Sequence, residues 1–221
     1  MGMLDSLKET ANTVALGLAQ RLAPPDVSVF NDRVATETKW TSQSKSTSNF
    51  RTYRLRTDGQ RFAFKPTVVR QLLCLLLIAP GAGIAYKAWP REYLFMGLGA
   101  ALIGLGALLL LKPKRRVFDA EQRQYDGGSA ARSMPFSDIH ALQLISRWVS
   151  GSGDSAGFEY GELNLVRHDA SRVLVANDPD VDALRAAART LSGAVGCPLW
   201  DATMAPKVKI NSLEDLKRLA R

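Results

Sequence analysis

The chain has 221 residues, a net charge of +8 and an apolar content of 46%. That length allows one or two modest domains and excludes a large multidomain assembly. Two cysteines exclude a disulfide framework, and the basic balance directs attention to an anionic partner, either nucleic acid or a membrane surface.

In chain order, Leu4, Leu7, Val14, Leu18 and Leu22 follow helical spacing and Pro24-Pro25 stops it, so residues 1–25 read as an amphipathic helix. The stretch lacks the continuous apolar core of a secretory signal. "MGMLDS" fits a myristoylation pattern at Gly2, but two membrane spans downstream would make such an anchor redundant. Residues 26–66 read as strands and loops. "SQSKSTSN" is a polar loop, and "FRTYRLRT" and "QRFAFKPT" flank Asp58-Gly59, a hairpin signature.

Two apolar blocks follow, Val68 to Ala88 and Tyr93 to Leu111, together residues 68–111. The second carries no charge and would rise about 28 Å as a helix, close to the hydrocarbon thickness of a bilayer. A core helix of that length would carry a polar stripe, and this one has none. The first block holds Arg70 at its start, Lys87 near its end and Pro80-Gly81 inside, all tolerable in a span. "KAWPREY" between them suits a tight turn at the headgroup belt, so the blocks predict a transmembrane helical hairpin. Lys112, Lys114, Arg115 and Arg116 follow the second span, and Arg51, Arg54, Arg56, Arg61, Lys65 and Arg70 precede or open the first. The positive-inside rule then places both termini in the cytoplasm.

Small residues four apart permit close helix contact in lipid, and Gly81 with Ala85, Gly97 with Ala101, and Ala100 with Gly104 meet that need. They point to packing within the hairpin or to a homodimer.

Residues 112–201 resume the strand pattern with "RRVFD", "RQYDG", "SDIHALQLIS", "FEYGELNLVRHD" and "SRVLVAND", the last two turning around Asp169-Ala170. A helix follows, with Asp178 expected as its cap, Pro179 at its first position and Val181, Leu184, Ala188, Leu191 and Val195 as its apolar stripe. Gly196 and Pro198 end it. Residues 202–221 form a basic tail in which "NSLEDLKRLAR" can make a short helix capped by Ser212.

"RRVFDAEQRQYDG", "PFSDIHALQLIS", "ELNLVRHDASRVLVAND" and "VDALRAAARTLSGAVGCPLWD" resemble the pleckstrin-homology-like (PH-like) domains of small bacterial two-span membrane proteins. The resemblance covers the hairpin and the C-terminal half. It implies an α+β fold, a small antiparallel sheet or partial barrel closed by a C-terminal helix, and an inner-membrane location. It implies no reaction.

Gly153 to Gly157 spells G-x-S-x-G, but a strand rather than a helix follows Ser155, and the chain outside the membrane is too short for the hydrolase sheet. His140 and His168 are the only histidines, and no Cys, His or carboxylate cluster has metal-ligand spacing. The expectation is therefore a non-enzymatic protein with no cofactor and no metal. The basic residues gather near the span ends rather than among stacking aromatics, which argues against nucleic acid and for the lipid bilayer. Lys112, Lys114, Arg115, Arg116 and Arg70 are the candidate headgroup contacts. Arg147 and Trp148, beside the "SGSGDSAG" linker, are the candidate surface for a protein partner. The expected role is a scaffold at the membrane surface. The alternative is an immunity or assembly factor for another membrane protein or a membrane-acting toxin, acting through the hairpin.

Overall fold

The structure, a computed structural model, describes residues 23–44, 50–89, 92–111, 116–149 and 157–208. The helices expected in residues 4–22 and after Ser212 lie outside these residues, as do Lys112, Lys114, Arg115 and Ser155.

The chain is mixed α+β. After a 3-10 turn at Val27–Phe30 and the short helix α1 (Arg33–Glu37), the hairpin β1 (Tyr53–Asp58) and β2 (Arg61–Pro66) leads into α2 (Val68–Ala88) and α3 (Tyr93–Leu111). Then come β3 (Val117–Asp119), β4 (Gln124–Asp126), β5 (Met134–Pro135), β6 (Ile139–Val149), β7 (Phe158–Arg167), β8 (Arg172–Asp178), α4 (Val181–Val195) and β9 (Leu199–Asp201). Gly59 takes a positive φ of 57° at the β1–β2 turn, as the Asp-Gly pair demands.

Two sheets form. One is antiparallel in the order β1-β2-β3-β4-β5, and the other runs β8-β7-β6-β9 with β9 parallel to β6. They do not close into a barrel. Phe62 pairs with Phe118, so the N-terminal hairpin joins the strands that follow the apolar helices, and α2 and α3 are an insertion between adjacent strands of one sheet. The main core lies between the sheets and α4. It includes Phe64, Phe118, Tyr125, Leu142, Leu144, Leu163, Leu165, Leu184 and Leu191.

Asp180, not Asp178, caps α4, accepting the Ala183 N–H at 2.9 Å. Asp178 ends β8, buried, so Pro179 falls before the helix rather than inside it. Gly196 closes the helix at φ 78°.

Helices α2 and α3 are long and apolar enough to cross a membrane. They pack through small residues. A Cβ on Gly99 would lie 2.6 Å from the Gly81 carbonyl oxygen, and one on Gly106 would lie 2.6 Å from Ile78. The seam thus runs through Gly81 and Ala85 on α2 and through Gly99 and Gly106 on α3. Gly97, Ala101 and Gly104, expected at this contact, are exposed, and no atom lies within 4 Å of a Cβ built on Gly97 or Gly104. The reason is register: the contact repeats every seven residues along α3, which takes Gly99 and Gly106 and leaves the small residues offset from them outside.

Candidate functional site

The first candidate site is a basic and aromatic collar where the first sheet meets α2 and α3. Thr67 caps α2, its hydroxyl accepting the Arg70 N–H at 3.4 Å and donating to the Arg51 carbonyl at 2.7 Å. The Arg70 and Arg116 guanidinium carbons lie 5.0 and 5.5 Å from the centroid of the Tyr53 ring. Arg70 also donates to the Leu109 carbonyl at 2.6 Å, satisfying a helix-end acceptor of α3. Arg116 is buried. Burial lowers its pKa, with Tyr125 and Tyr53 opposing, yet arginine stays a cation. Its burial beside Tyr53 makes it structural, unlike its exposed basic neighbours.

Those neighbours are Arg54 and Lys65. They lie directly opposite each other in the β1–β2 register, one position from the Tyr53–Pro66 pair that ends the hairpin at α2. Both are exposed, and neither forms an ion pair among the described residues. Arg56 shares their face. Directly opposed like charges destabilise a strand pair, so this spot gains from an anion.

Arg51 extends the collar to the second sheet. It donates to Asp178 at 3.1 Å and lies 3.6 Å from Asp180. Burial pushes the Asp178 carboxyl above its ordinary value, against the lowering effects of the Asp180 N–H and of Arg51. Asp178 pairs with Gly161, so the far ends of β6 and β7 run past it on the same end of the molecule as α2 and α3. There the Arg147 guanidinium carbon lies 5.8 Å from the Tyr160 ring centroid. Trp148 is 62% exposed, and its indole lies so close to Gly157 that a Cβ there would come within 2.6 Å of Nε1. Trp148 is therefore displayed rather than used to cap the core.

The second candidate site is the outer face of β6–β8, covered by residues 26–44. Glu162, fully buried, accepts from the Ser42 hydroxyl at 2.6 Å and from the Gln43 and Ser44 N–H groups at 3.0 and 2.8 Å. Asn164 donates to Glu162 at 2.9 Å, Gln143 donates to the Lys39 carbonyl at 3.1 Å, and Arg172 donates to the Thr41 carbonyl at 2.9 Å. Burial pushes the Glu162 carboxyl up, but these hydrogen bonds outweigh it and hold the pKa below the ordinary value. Beside this layer Phe30, Trp40 and Trp200 pack together, with Phe30 and Trp40 stacked at 5.2 Å.

At the rim of that aromatic cluster three polar side chains meet. His140 Nε2 lies 2.8 Å from Asp32 Oδ2, His140 Nδ1 lies 3.1 Å from His168 Nδ1, and His168 Nε2 lies 2.9 Å from the Ser137 carbonyl oxygen. Burial raises the Asp32 pKa, but the His140 contact and the Val34 N–H bring it below its ordinary value.

Arg70, expected from the sequence as a headgroup contact, lies in this collar against Tyr53 and the Leu109 carbonyl. Arg54 and Lys65 were visible only as part of the basic cluster that sets orientation, and their opposition follows from the hairpin register. Nothing in the sequence pairs Glu162 with Ser42, or Asp32 with His140. No protein-family model, curated protein or solved structure matches the chain.

Proposed function

We propose that this is a two-span protein of the bacterial inner membrane, with both termini in the cytoplasm, whose PH-like cytoplasmic module works non-enzymatically at the membrane surface. In this reading the module holds anionic lipid headgroups and serves as a scaffold for a protein partner. The observation that carries it is the exposed Arg54–Lys65 pair, with Arg56 on the same face, directly at the base of two helices suited to a bilayer. Each such cation contributes about 1 kcal/mol next to an anionic surface. The excess of Lys and Arg at the span ends supports the orientation. The β6–β8 meander followed by α4 supports the PH-like reading. Trp148, exposed at the same end, suits either the headgroup belt or a partner.

The test is gentle affinity purification from native membranes with lipids and proteins both identified by mass spectrometry. Anionic lipid enriched over the bulk membrane, and lost from an R54Q/K65Q variant, is the expected result. Bulk lipid composition in both would sink the headgroup reading.

The exposed small residues Gly97, Ala101 and Gly104 favour a second reading, an assembly or immunity factor that docks another membrane helix. A stoichiometric membrane partner lost in a Gly104→Leu variant, with lipid unchanged, would select it.

A further inference from the structure

We propose that His140 and His168 form a two-histidine chelate for a divalent transition-metal ion of the zinc, nickel or copper class, with Asp32 and the Ser137 carbonyl as its outer partners. The chain has only two histidines, and the β6–β7 pairing brings them together at 3.1 Å between their Nδ1 atoms.

The spacing of the two rings and the partners of their outer nitrogens carry the argument. The Ser137 carbonyl can only accept, so His168 Nε2 bears a proton. Asp32, ionised, can only accept, so His140 Nε2 bears one as well. A neutral imidazole has a single N–H. Both Nδ1 atoms then carry lone pairs, and the two face each other at hydrogen-bond distance. One ion placed beside them would take both lone pairs.

The geometry suits a metal ion. Two nitrogens each about 2.1 Å from one ion stand about 3.0 Å apart at a right angle and about 3.4 Å apart at the tetrahedral angle. The observed 3.1 Å lies between these limits. A metal-bound histidine characteristically donates its other ring N–H to a carboxylate or a backbone carbonyl, which fixes tautomer and ring orientation. Here both rings already do so. Trp200, with its ring centroid 5.6 Å from that of His140, walls one side, and exposed His168 leaves another open to water.

Among the described residues no three His, Cys, Asp or Glu side chains converge on one point, so water or an added anion completes the shell. The result is an open site of moderate affinity rather than a closed structural one. Asp32 is the carboxylate facing the pair. Asp169, next to His168, turns its carboxylate to the Ser171 N–H. Because Asp32 caps α1, accepting the Val34 N–H at 2.8 Å, the ion would also fasten residues 26–44 to β6.

The test uses the full chain in detergent micelles, purified without a histidine tag and carrying Cys197→Ser to remove a competing thiol. Zinc chloride is titrated in while the ring nitrogens are followed by histidine-selective nitrogen-15 NMR. Both Nδ1 signals should move together at one ion per chain. His168→Gln, at an exposed position, should abolish the effect. Asp32→Asn should weaken binding about 10-fold or more. Ring signals unmoved by millimolar zinc would overturn the proposal. Binding unchanged in His168→Gln would place the ion elsewhere and overturn it equally. Neither result depends on the membrane reading.

Discussion

Leu142, Leu144, Leu163 and Leu165 occupy one face of β6 and β7, and Gln143, Glu162 and Asn164 occupy the other; all are buried. The leucine face meets α4 and the first sheet, and dispersion and water exclusion hold it without regard to direction. The polar face is buried under residues 38–44, which bond to Glu162, Gln143 and Arg172 and leave Asn164 Oδ1 without a partner among the described residues. The contrast teaches that equal burial conceals unequal dependence. The leucine face tolerates any apolar neighbour of the right volume. The polar face fails if a single covering segment lifts, since each unpaired buried group then costs about 1–3 kcal/mol.

The largest effect is expected on the leucine face. Leu163→Ala should cost about 2–5 kcal/mol, the sum of lost transfer energy and a cavity. Denaturant unfolding in detergent should show one lowered midpoint for the whole β module. If instead only the 26–44 segment loosened, the two faces would not differ as described.

Glu162→Gln comes next, at about 1–3 kcal/mol, because the charge that draws the Ser42, Gln43 and Ser44 donors together is removed. The effect should be local. Proteolysis between residues 26 and 44 should speed up while the circular dichroism of the sheets stays the same. Cleavage rates equal to those of the parent would mean that the aromatic contacts of Phe30, Trp40 and Trp200 hold the segment alone.

The two faces also differ in how far the sequence reveals them. Alternation marks the leucines, and the Asp-Gly turn, the apolar helix pair and the α4 stripe were equally plain, because each is set by neighbours a few positions away. The polar face is not marked, since its donors lie 119 residues earlier for Gln43 and Glu162. The same distance hid the Asp32–His140 contact, 108 residues apart. Asp178 misled for a related reason. It precedes the apolar stripe with a proline after it, as a cap would, and only its burial beside Arg51 assigns it to the strand end. In the hairpin, composition pointed to small residues but could not choose the register that puts Gly99 rather than Gly97 at the seam.

A pH series would sharpen the comparison. Glu162 has a depressed pKa in the folded chain, so its contribution is complete above the ordinary glutamate value of 4.5 and is lost as pH falls through its lower folded value. Asp178 runs the other way. Its folded pKa is raised above 3.8, so its ionisation costs stability at neutral pH, and that cost is relieved as pH falls through the raised value. Between pH 7 and pH 3, Glu162→Gln should lose less stability than the parent chain, and Asp178→Asn should lose more. Parallel curves for all three would show that neither carboxylate governs acid sensitivity. Leu163→Ala should only shift the parent curve downward.

The smallest effect is expected for Ser42→Ala, and it separates two ways of holding the polar face. The Ser42 hydroxyl makes the shortest contact to Glu162, at 2.6 Å, but the Gln43 and Ser44 backbone N–H groups approach the same carboxylate and cannot be mutated away. A carboxylate that keeps two backbone donors and Asn164 remains paired after losing one hydroxyl. The cost should therefore stay at about 0.5–1 kcal/mol, the net worth of one hydrogen bond, with proteolysis of residues 26–44 barely changed. A loss as large as that of Glu162→Gln would mean that the hydroxyl orders the turn and that the backbone donors follow it. The polar face would then rest on a side chain, as the leucine face does, rather than on the path of the covering backbone.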